Sequence, residues 1–191
     1  MEEYIADKNF DKIDYGRIPF VIAHYDTCTF SDCIFSEADL SNTIFIDCEF
    51  IRCNLSLAKV KNTTIRDAKF TDCKMLGIHF DDCNELGLSF NFTNCNLNNS
   101  SFYKQKVKST TFKNCKLQEV DFVNSDLTNS IFDNCDLIGT IFENATLDKV
   151  DFRTSFNFSI DPERNRIKKA KFSTGNLLGL LAKYDITVTN D

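Results

Sequence analysis

The 191-residue sequence has no tryptophan, and it has only two prolines, two histidines and six glycines. With so few glycines there is no glycine-rich phosphate-binding loop, and no nucleophile elbow or paired general acid and base is recognisable. His24 and His79 each stand one residue before an apolar residue, at an outward position of the repeat described below. The sequence therefore predicts neither catalytic residues nor a cofactor, and it does not indicate an enzyme.

Long apolar runs are also missing, since no stretch approaches the roughly 18 to 20 residues needed to cross a bilayer. The first residues, MEEYIADKNFDK, lack the basic region and apolar segment of a signal peptide. We expect a soluble cytoplasmic protein with no membrane association. The net charge of −6 and the pI near 5.0 argue against direct nucleic-acid binding, because phosphate contacts require a basic surface.

Phenylalanine is abundant instead, with 19 residues beside five tyrosines, and it recurs with a fixed period. In the stretch DFVNSDLTNSIFDNCDLIGTIFENATL, which covers 121–147, Phe or Leu returns at every fifth residue. An α-helix repeats near 3.6 residues and a strand at 2, so neither template explains this period. One series of apolar centres is Phe10, Tyr15, Phe20, Tyr25, Phe30, Phe35, Leu40, Phe45, Phe50, Leu55, Val60, Ile65, Phe70, Met75 and Phe80. A second, in another phase, is Phe92, Leu97, Phe102, Val107, Phe112, Leu117, Phe122, Leu127, Phe132, Leu137, Phe142, Leu147 and Phe152.

Each centre is usually preceded by a small residue two positions earlier and often by Asp or Asn one position earlier. The same residue type also recurs at every twentieth position, as at Phe92, Phe112, Phe132 and Phe152. Four pentapeptides per turn make a square coil whose successive turns lie about 4.8 Å apart, as neighbouring strands do. Seven coils would form a rod of roughly 34 Å at that spacing.

These units resemble those of the pentapeptide-repeat family, whose consensus is A(D/N)LXX, over about three quarters of the chain. The resemblance implies an all-β fold, a right-handed quadrilateral β-helix of about seven coils with the Phe, Leu and small residues inside. The coil follows from the periodicity, whereas the handedness is implied by the resemblance.

The nine cysteines follow the repeat, because eight lie two residues before an apolar centre and Cys83 keeps the same phase. We expect free thiols that serve as the small interior residues. Cys33, Cys53 and Cys73 would form one column, and Cys95, Cys115 and Cys135 another. No Cys-x-x-Cys pair is present, so a zinc site is not expected, and parallel side chains in a reducing cytoplasm oppose disulfides.

The repeat is interrupted between Phe80 and Phe92, where the phase moves by two residues. We expect a bulge near 81–91, with Glu85 in an otherwise interior slot and Gly87 supplying an unusual backbone angle. This bulge is either a structural kink or a loop that contacts a partner through Glu85. The solenoid is predicted to occupy residues 1–160.

Residues 161–191 change in character and are predicted to cap the last coil, since an open coil would expose strand edges. After the candidate cap residues Ser173 and Thr174, apolar residues recur at helical spacing, which predicts a short helix. Ile186 and Val188 then alternate as in a short strand. The quinolone-resistance proteins of the family imply a two-fold dimer through a similar C-terminal ending, so a homodimer is expected. The predicted dimer residues are Leu177, Leu178, Leu181, Tyr184, Ile186 and Val188.

The same resemblance implies a function, because quinolone-resistance pentapeptide proteins imitate duplex DNA and bind DNA gyrase and topoisomerase IV. Residues 1–160 carry 24 acidic and 16 basic side chains, a balance that suits such a partner. The alternative is a general protein-interaction rod that docks an unrelated partner through outward isoleucines. The candidate partner-facing acidic residues are Asp121, Asp126, Asp133, Asp136, Glu143 and Asp151. The outward isoleucines are Ile34, Ile44, Ile46, Ile131 and Ile141.

Overall fold

A computed structural model describes residues 3–189, which wind into an all-β parallel solenoid with four faces per coil. Each strand pairs in parallel with the strand about twenty residues later, as in the register of Phe112 with Phe132. Among the described residues the strands are β1 (Glu3–Ala6), β2 (Asn9–Asp11), β3 (Ala23–Asp26), β4 (Thr29–Ser31), β5 (Ile44–Ile46), β6 (Glu49–Ile51), β7 (Thr64–Arg66), β8 (Ala68–Thr71), β9 (Phe90–Thr93), β10 (Thr111–Lys113) and β11 (Ile131–Asp133). The predicted quadrilateral coil is confirmed.

Two faces of the solenoid are sheets, and two are held by single β-bridges. The seven-stranded face has the order β11-β10-β9-β8-β6-β4-β2, and the four-stranded face has the order β1-β3-β5-β7. Beyond β7 the four-stranded face continues as bridges from Lys106 to Asp126, Thr146 and Arg166. The first bridge face starts with the pair Asp14 and Ile34 and ends at Phe156. The second starts with Asp39 and Lys59 and ends at Ile141.

A continuous stack of nine phenylalanine rings fills the seven-stranded side of the core. Each ring lies parallel to the ring one coil away, with centroids 4.7 to 5.5 Å apart. Since each buried Phe contributes about 1.5 to 3 kcal/mol by leaving water, this column is a main source of stability. The stack consists of Phe10, Phe30, Phe50, Phe70, Phe92, Phe112, Phe132, Phe152 and Phe172.

The corners of the coil require a left-handed backbone at the residue two positions after most centres. Asn94, Asn114 and Asn134 have φ values of 55°, 52° and 52°, and Gly139 has a φ of 68°. Asn, Asp and Gly tolerate this region best, which explains why they recur at the corners. The amide of Asn114 also donates to Asn94 at 3.0 Å, and that of Asn134 donates to Asn114 at 2.9 Å, so the side chains form a ladder.

The cysteines are free and buried, and six of them form one column rather than the two predicted. Cys73 Sγ donates to the carbonyl oxygen of Phe50, and Cys95 Sγ donates to that of Phe70, so the two thiols are consecutive members. Prediction separated them because they lie 22 residues apart, on either side of the interruption. The column is Cys33, Cys53, Cys73, Cys95, Cys115 and Cys135.

The interruption is a coil of 22 residues, in which Ala68 pairs with Phe90 instead of with a residue twenty positions later. A short 3₁₀ helix, Phe80–Asp82, precedes the loop, and Gly87 has the expected positive φ, at 81°. The interior position predicted for Glu85 is wrong, because Glu85 is exposed. A carboxylate avoids burial without a partner, and the buried side chains of Leu88 and Phe90 fill the core there.

At the C-terminal end the bridges continue to Lys171, eleven residues past the predicted end of the solenoid at 160. The chain then forms two 3₁₀ helices, Thr174–Leu180 and Ala182–Tyr184, beginning with a capping box in which Ser173 and Asn176 bond reciprocally. Residues 185–189 form no strand, so the strand-like interpretation of Ile186 and Val188 is wrong.

Candidate partner-binding surfaces

In the part of the chain that the structure describes, the chemically reactive side chains do not converge on one site. Among residues 3–189, no group of three or more His, Cys, Asp and Glu residues is arranged to hold a metal ion. Burial raises the pKa of the Cys48 thiol to about 12 and raises that of Cys83 as well, which keeps both thiols protonated near neutral pH. Buried, protonated thiols act as small apolar side chains.

The two histidines lie on different faces. His79 is exposed on the second bridge face, with Nδ1 3.4 Å from Oδ1 of Asp81. His24 lies in β3 and is half-buried, because the ring of Tyr4 packs edge-on against it at 4.9 Å. The prediction that both histidines face solvent therefore describes His79 better than His24. The structure does not bring the two side chains together.

The six acidic residues predicted to face a partner are distributed over all four faces, so they do not form one stripe. Asp133 and Asp151 lie on the seven-stranded face, and Asp126 on the continuation of the four-stranded face. Asp136 lies on the first bridge face and Asp121 on the second. Glu143 follows the centre Phe142 on that second bridge face.

Several of these carboxylates are neutralised by neighbouring cations. Oδ2 of Asp151 lies 2.8 Å from Arg153 and 3.5 Å from Lys171. The hydrogen bond from Arg153 holds the pKa of Asp151 below its usual range. Likewise, Asp126 pairs with Lys108 at 3.0 Å and Glu143 with Arg164 at 2.7 Å. Acids paired in this way present little free negative charge to a partner.

A different set of acidic residues does share one face. These are the outward acidic residues of β1, β3, β5 and β7 and of the corners that follow these strands, and none of them has an ion-pair partner among the described residues. Arg66 is the single cation on this part of the face. Sequence reasoning missed the set because its members are about twenty residues apart in sequence and only a coil apart in space. The acidic half consists of Asp7, Asp26, Asp47 and Asp67.

The same face becomes basic beyond the interruption. Two of its cations are paired, Lys108 with Asp126 and Arg166 with Asp148. The remaining four have no ion-pair partner among residues 3–189. The basic half consists of Lys106, Lys108, Lys149, Arg166, Lys168 and Lys169.

Between these two halves lies the loop of the 22-residue coil. Leu86, near its tip, is 79% exposed, the highest value among the large apolar side chains described. Glu85 is exposed beside it. The Oγ of Ser89 closes the loop by donating to Asp67 Oδ1 at 2.9 Å and accepting the Asp67 N–H at 2.8 Å.

The C-terminal segment is fixed to the last coil through one side and leaves its apolar side chains outside. Ile160 N donates to Gly179 O at 2.9 Å, and a Cβ at Gly179 would clash with the ring of Phe158. Lys183 Nζ binds Asp161 at 2.8 Å and also binds Glu163. The side chains predicted for the dimer are all exposed, by 37 to 56%, namely Leu177, Leu178, Leu181, Tyr184, Ile186 and Val188.

The outward isoleucines do not form a shared patch. Ile34, Ile131 and Ile141 are 42, 43 and 49% exposed on three different faces. Ile44 and Ile46 are half-buried in β5 of the four-stranded face. Single apolar residues on exposed strands are common and do not by themselves mark a docking site.

Comparison with known proteins identifies this architecture. The sequence model of the pentapeptide repeat region matches residues 23–91 and 88–157. Full-length QnrB1, a plasmid-mediated fluoroquinolone resistance protein, aligns with 96% of this chain and 100% of its own, at 19% identity and a TM-score of 0.63. A trypsin-treated variant of QnrB1 aligns over 99% of both chains, at 20% identity and a TM-score of 0.62. At this identity the likeness concerns the fold. A search of curated protein sequences finds no match.

The described helices are all short 3₁₀ segments, and none has the length and apolar character needed to cross a membrane.

Proposed function

Because the chain belongs to the pentapeptide repeat family, we propose that the protein is a non-enzymatic rod whose partner is a type II topoisomerase, DNA gyrase or topoisomerase IV. The observation that carries the proposal is the match of fold, over 96% of the chain, to a fluoroquinolone resistance protein. Binding would imitate duplex DNA and modulate susceptibility to quinolones.

The charge of the rod supports such a partner. Residues 1–160 carry eight more acidic than basic side chains, whereas residues 161–191 carry two more basic than acidic ones. A surface that binds DNA, as a topoisomerase must have, is basic. Residues 1–160, which are acidic, would be attracted to it over distances of about a Debye length, roughly 8 to 10 Å.

A dimer through the C-terminal segment is part of the proposal. Exposed apolar side chains on a segment that contacts the last coil through Gly179 and Lys183 form a surface suited to a second copy. Static light scattering at micromolar concentration tests this contact. Self-association that weakens when Leu178→Glu and Tyr184→Glu are combined supports it, whereas a wild-type monomer contradicts it.

The partner is tested by titrating purified gyrase with the protein in a supercoiling assay, with and without a fluoroquinolone. Inhibition, or protection from the drug, at low micromolar concentration is expected. Asp121→Asn with Asp133→Asn, two predicted acids without an ion-pair partner among the described residues, should weaken the effect. The control pair Lys113→Gln with Lys116→Gln should preserve or strengthen it. Absence of any effect on gyrase and topoisomerase IV would contradict the proposed partner.

The second candidate is an interaction rod for a partner unrelated to topoisomerases. The observation that favours it is the distribution of the six predicted acidic residues over four faces, where several are paired with cations. Wild-type protein that leaves both topoisomerases unaffected but is retained by another purified partner would support it. Loss of that retention in Ile44→Ser with Ile46→Ser would place the contact on the four-stranded face.

A further inference from the structure

The four-stranded face carries opposite charge in its two halves, and the halves are arranged symmetrically. Its corner positions run through Asp7, Asp47 and Asp67 to Gly87, and then to Lys149 and Lys169 at the other end. Asp7 lies four coils before Gly87, and Lys169 lies four coils after it. The protruding loop therefore occupies the middle of the face.

The charges of the two halves are nearly equal in size. The acidic half has four carboxylates and one guanidinium, Arg66, so its net charge is −3. The basic half has six cations and two carboxylates, Asp126 and Asp148, so its net charge is +4. Asp7 and Asp47 have no ion pair or side-chain hydrogen bond among the described residues, and the same is true of Lys149 and Lys169.

We propose that this face binds a second copy of the chain in antiparallel orientation, about a two-fold axis that passes close to the loop. Rotation about that axis places Asp7 opposite Lys169 and Asp67 opposite Ser109, beside Lys108. A parallel arrangement would instead place acid on acid and base on base. Opposite potentials that match in one orientation specify a contact even where each exposed pair contributes little.

Leu86 lies where the axis passes, so it would contact its own counterpart in the other copy. A side chain 79% exposed in the monomer has the most apolar surface to lose there. An isologous contact of this kind uses the same patch on both copies, which a face with two complementary halves satisfies. The contact is separate from the apolar C-terminal surface, and it does not depend on the proposed topoisomerase partner.

Charge-reversal variants of the full chain give the decisive test. One variant combines Asp7→Lys with Asp47→Lys, so that both halves are basic. The other combines Lys149→Glu, Lys168→Glu and Lys169→Glu, so that both halves are acidic. Corners of the wild-type chain already hold Lys104 and Glu119 at φ values of 60° and 55°, so the substitutions fit the backbone. Circular dichroism and thermal melts verify folding.

Self-association is measured by sedimentation velocity at about 50 mM and about 500 mM NaCl, since screening weakens exposed charge pairs. We expect the wild-type contact to weaken at the higher salt concentration. In each variant alone, the affinity of self-association should fall by roughly tenfold or more. An equimolar mixture of the two variants should form a mixed complex that neither forms alone. Leu86→Glu should also weaken the wild-type contact.

Three results would overturn the proposal. The first is an association in wild type that neither salt nor either variant changes, which would assign all self-association to the C-terminal surface. The second is the failure of the folded variants to bind one another in the mixture. The third is loss of association only with the basic-half variant together with binding to heparin, which would indicate an anionic polymer as the occupant. None of these results bears on the gyrase assay.

Discussion

The side-chain amide of Asn176 donates to the carbonyl oxygen of Phe152 at 2.9 Å. In the preceding coil Ser155 Oγ donates to Phe132 O, and before that Cys135 Sγ donates to Phe112 O. Asn176 thus makes the bond that another coil would have made. It also donates to Ser155 O at 3.1 Å, which satisfies a second carbonyl at the end of the rod.

Asn176→Ala should destabilise the last coil, because two partly buried carbonyls lose their donor. We expect a cost of about 1 to 3 kcal/mol in the free energy of unfolding measured with urea. Hydrogen exchange should increase mainly in the last coils. Gly175→Ala is the matched control, since a Cβ there meets nothing within 4 Å. An equal loss of stability in both variants would contradict the role of Asn176.

Phe132→Ala should cost about 3 to 5 kcal/mol, because the truncated side chain leaves a cavity in the ring stack. Phe132 is fully buried, between Phe112 at 4.7 Å and Phe152 at 5.0 Å. The neighbouring Ile131, 43% exposed, is the control, and Ile131→Ala should cost much less. A loss below about 1 kcal/mol for Phe132→Ala in chemical denaturation would be incompatible with a buried site of this kind.

Asn114→Ala should destabilise the corner ladder for two reasons. Alanine is disfavoured at a φ of 52°, and the hydrogen bonds that join Asn114 to Asn94 and to Asn134 are lost. We expect a cost of about 1 to 2 kcal/mol. Asn114→Gly removes the backbone strain but does not restore the side-chain hydrogen bonds. Thermal melts of the two variants therefore separate the contribution of backbone strain from that of hydrogen bonding. If glycine and alanine were equally destabilising, backbone strain would not contribute.

Stability should fall as the pH rises above the ordinary thiol pKa of 9.0. Burial raises the pKa of Cys48 to about 12, so the unfolded chain releases this proton at a lower pH than the folded chain does. The folded state then binds more protons, and the free energy of unfolding decreases with pH between about 9 and 12. Cys48→Ala, which fits a slot that Ala58 and Ala68 occupy elsewhere, should reduce this slope in urea titrations at several pH values. An unchanged slope would assign the effect to other groups.

The coil was predictable because every pentapeptide places one large and one small side chain in the interior. Phe132 and Cys135 are therefore identified from spacing alone, and both are buried. The continuity between Cys73 and Cys95 was not predictable, since the two extra residues between them hide a shared column. Glu85 was misplaced for the same reason, because the pattern does not show that Leu88 and Phe90 enter the core instead.

The candidate surfaces were harder to predict, because a charge's neighbours on the rod are about twenty residues away in sequence. The run from Asp121 to Asp151 looks acidic when read along the chain. In space Asp126 meets Lys108, and Asp151 meets Arg153. Conversely, Asp7 and Asp47 look isolated in the sequence but lie on one face. The corners were missed as well, although Asn or Asp two residues after a centre is the signal that identifies them.

The 22-residue coil also helps to determine which coils pair with one another during folding. Neighbouring coils are similar, since Phe92, Asn94 and Cys95 are equivalent to Phe112, Asn114 and Cys115, and Phe30, Asp32 and Cys33 are equivalent to Phe70, Asp72 and Cys73. A chain that paired one coil out of step would therefore retain most of its contacts. The strand after the two extra residues pairs with Ala68–Thr71 at a spacing of 22 residues, so a chain slipped by one coil would place this longer spacing against a coil of 20 residues. One irregular coil thus distinguishes the correct pairing of coils from pairings that are shifted by one coil.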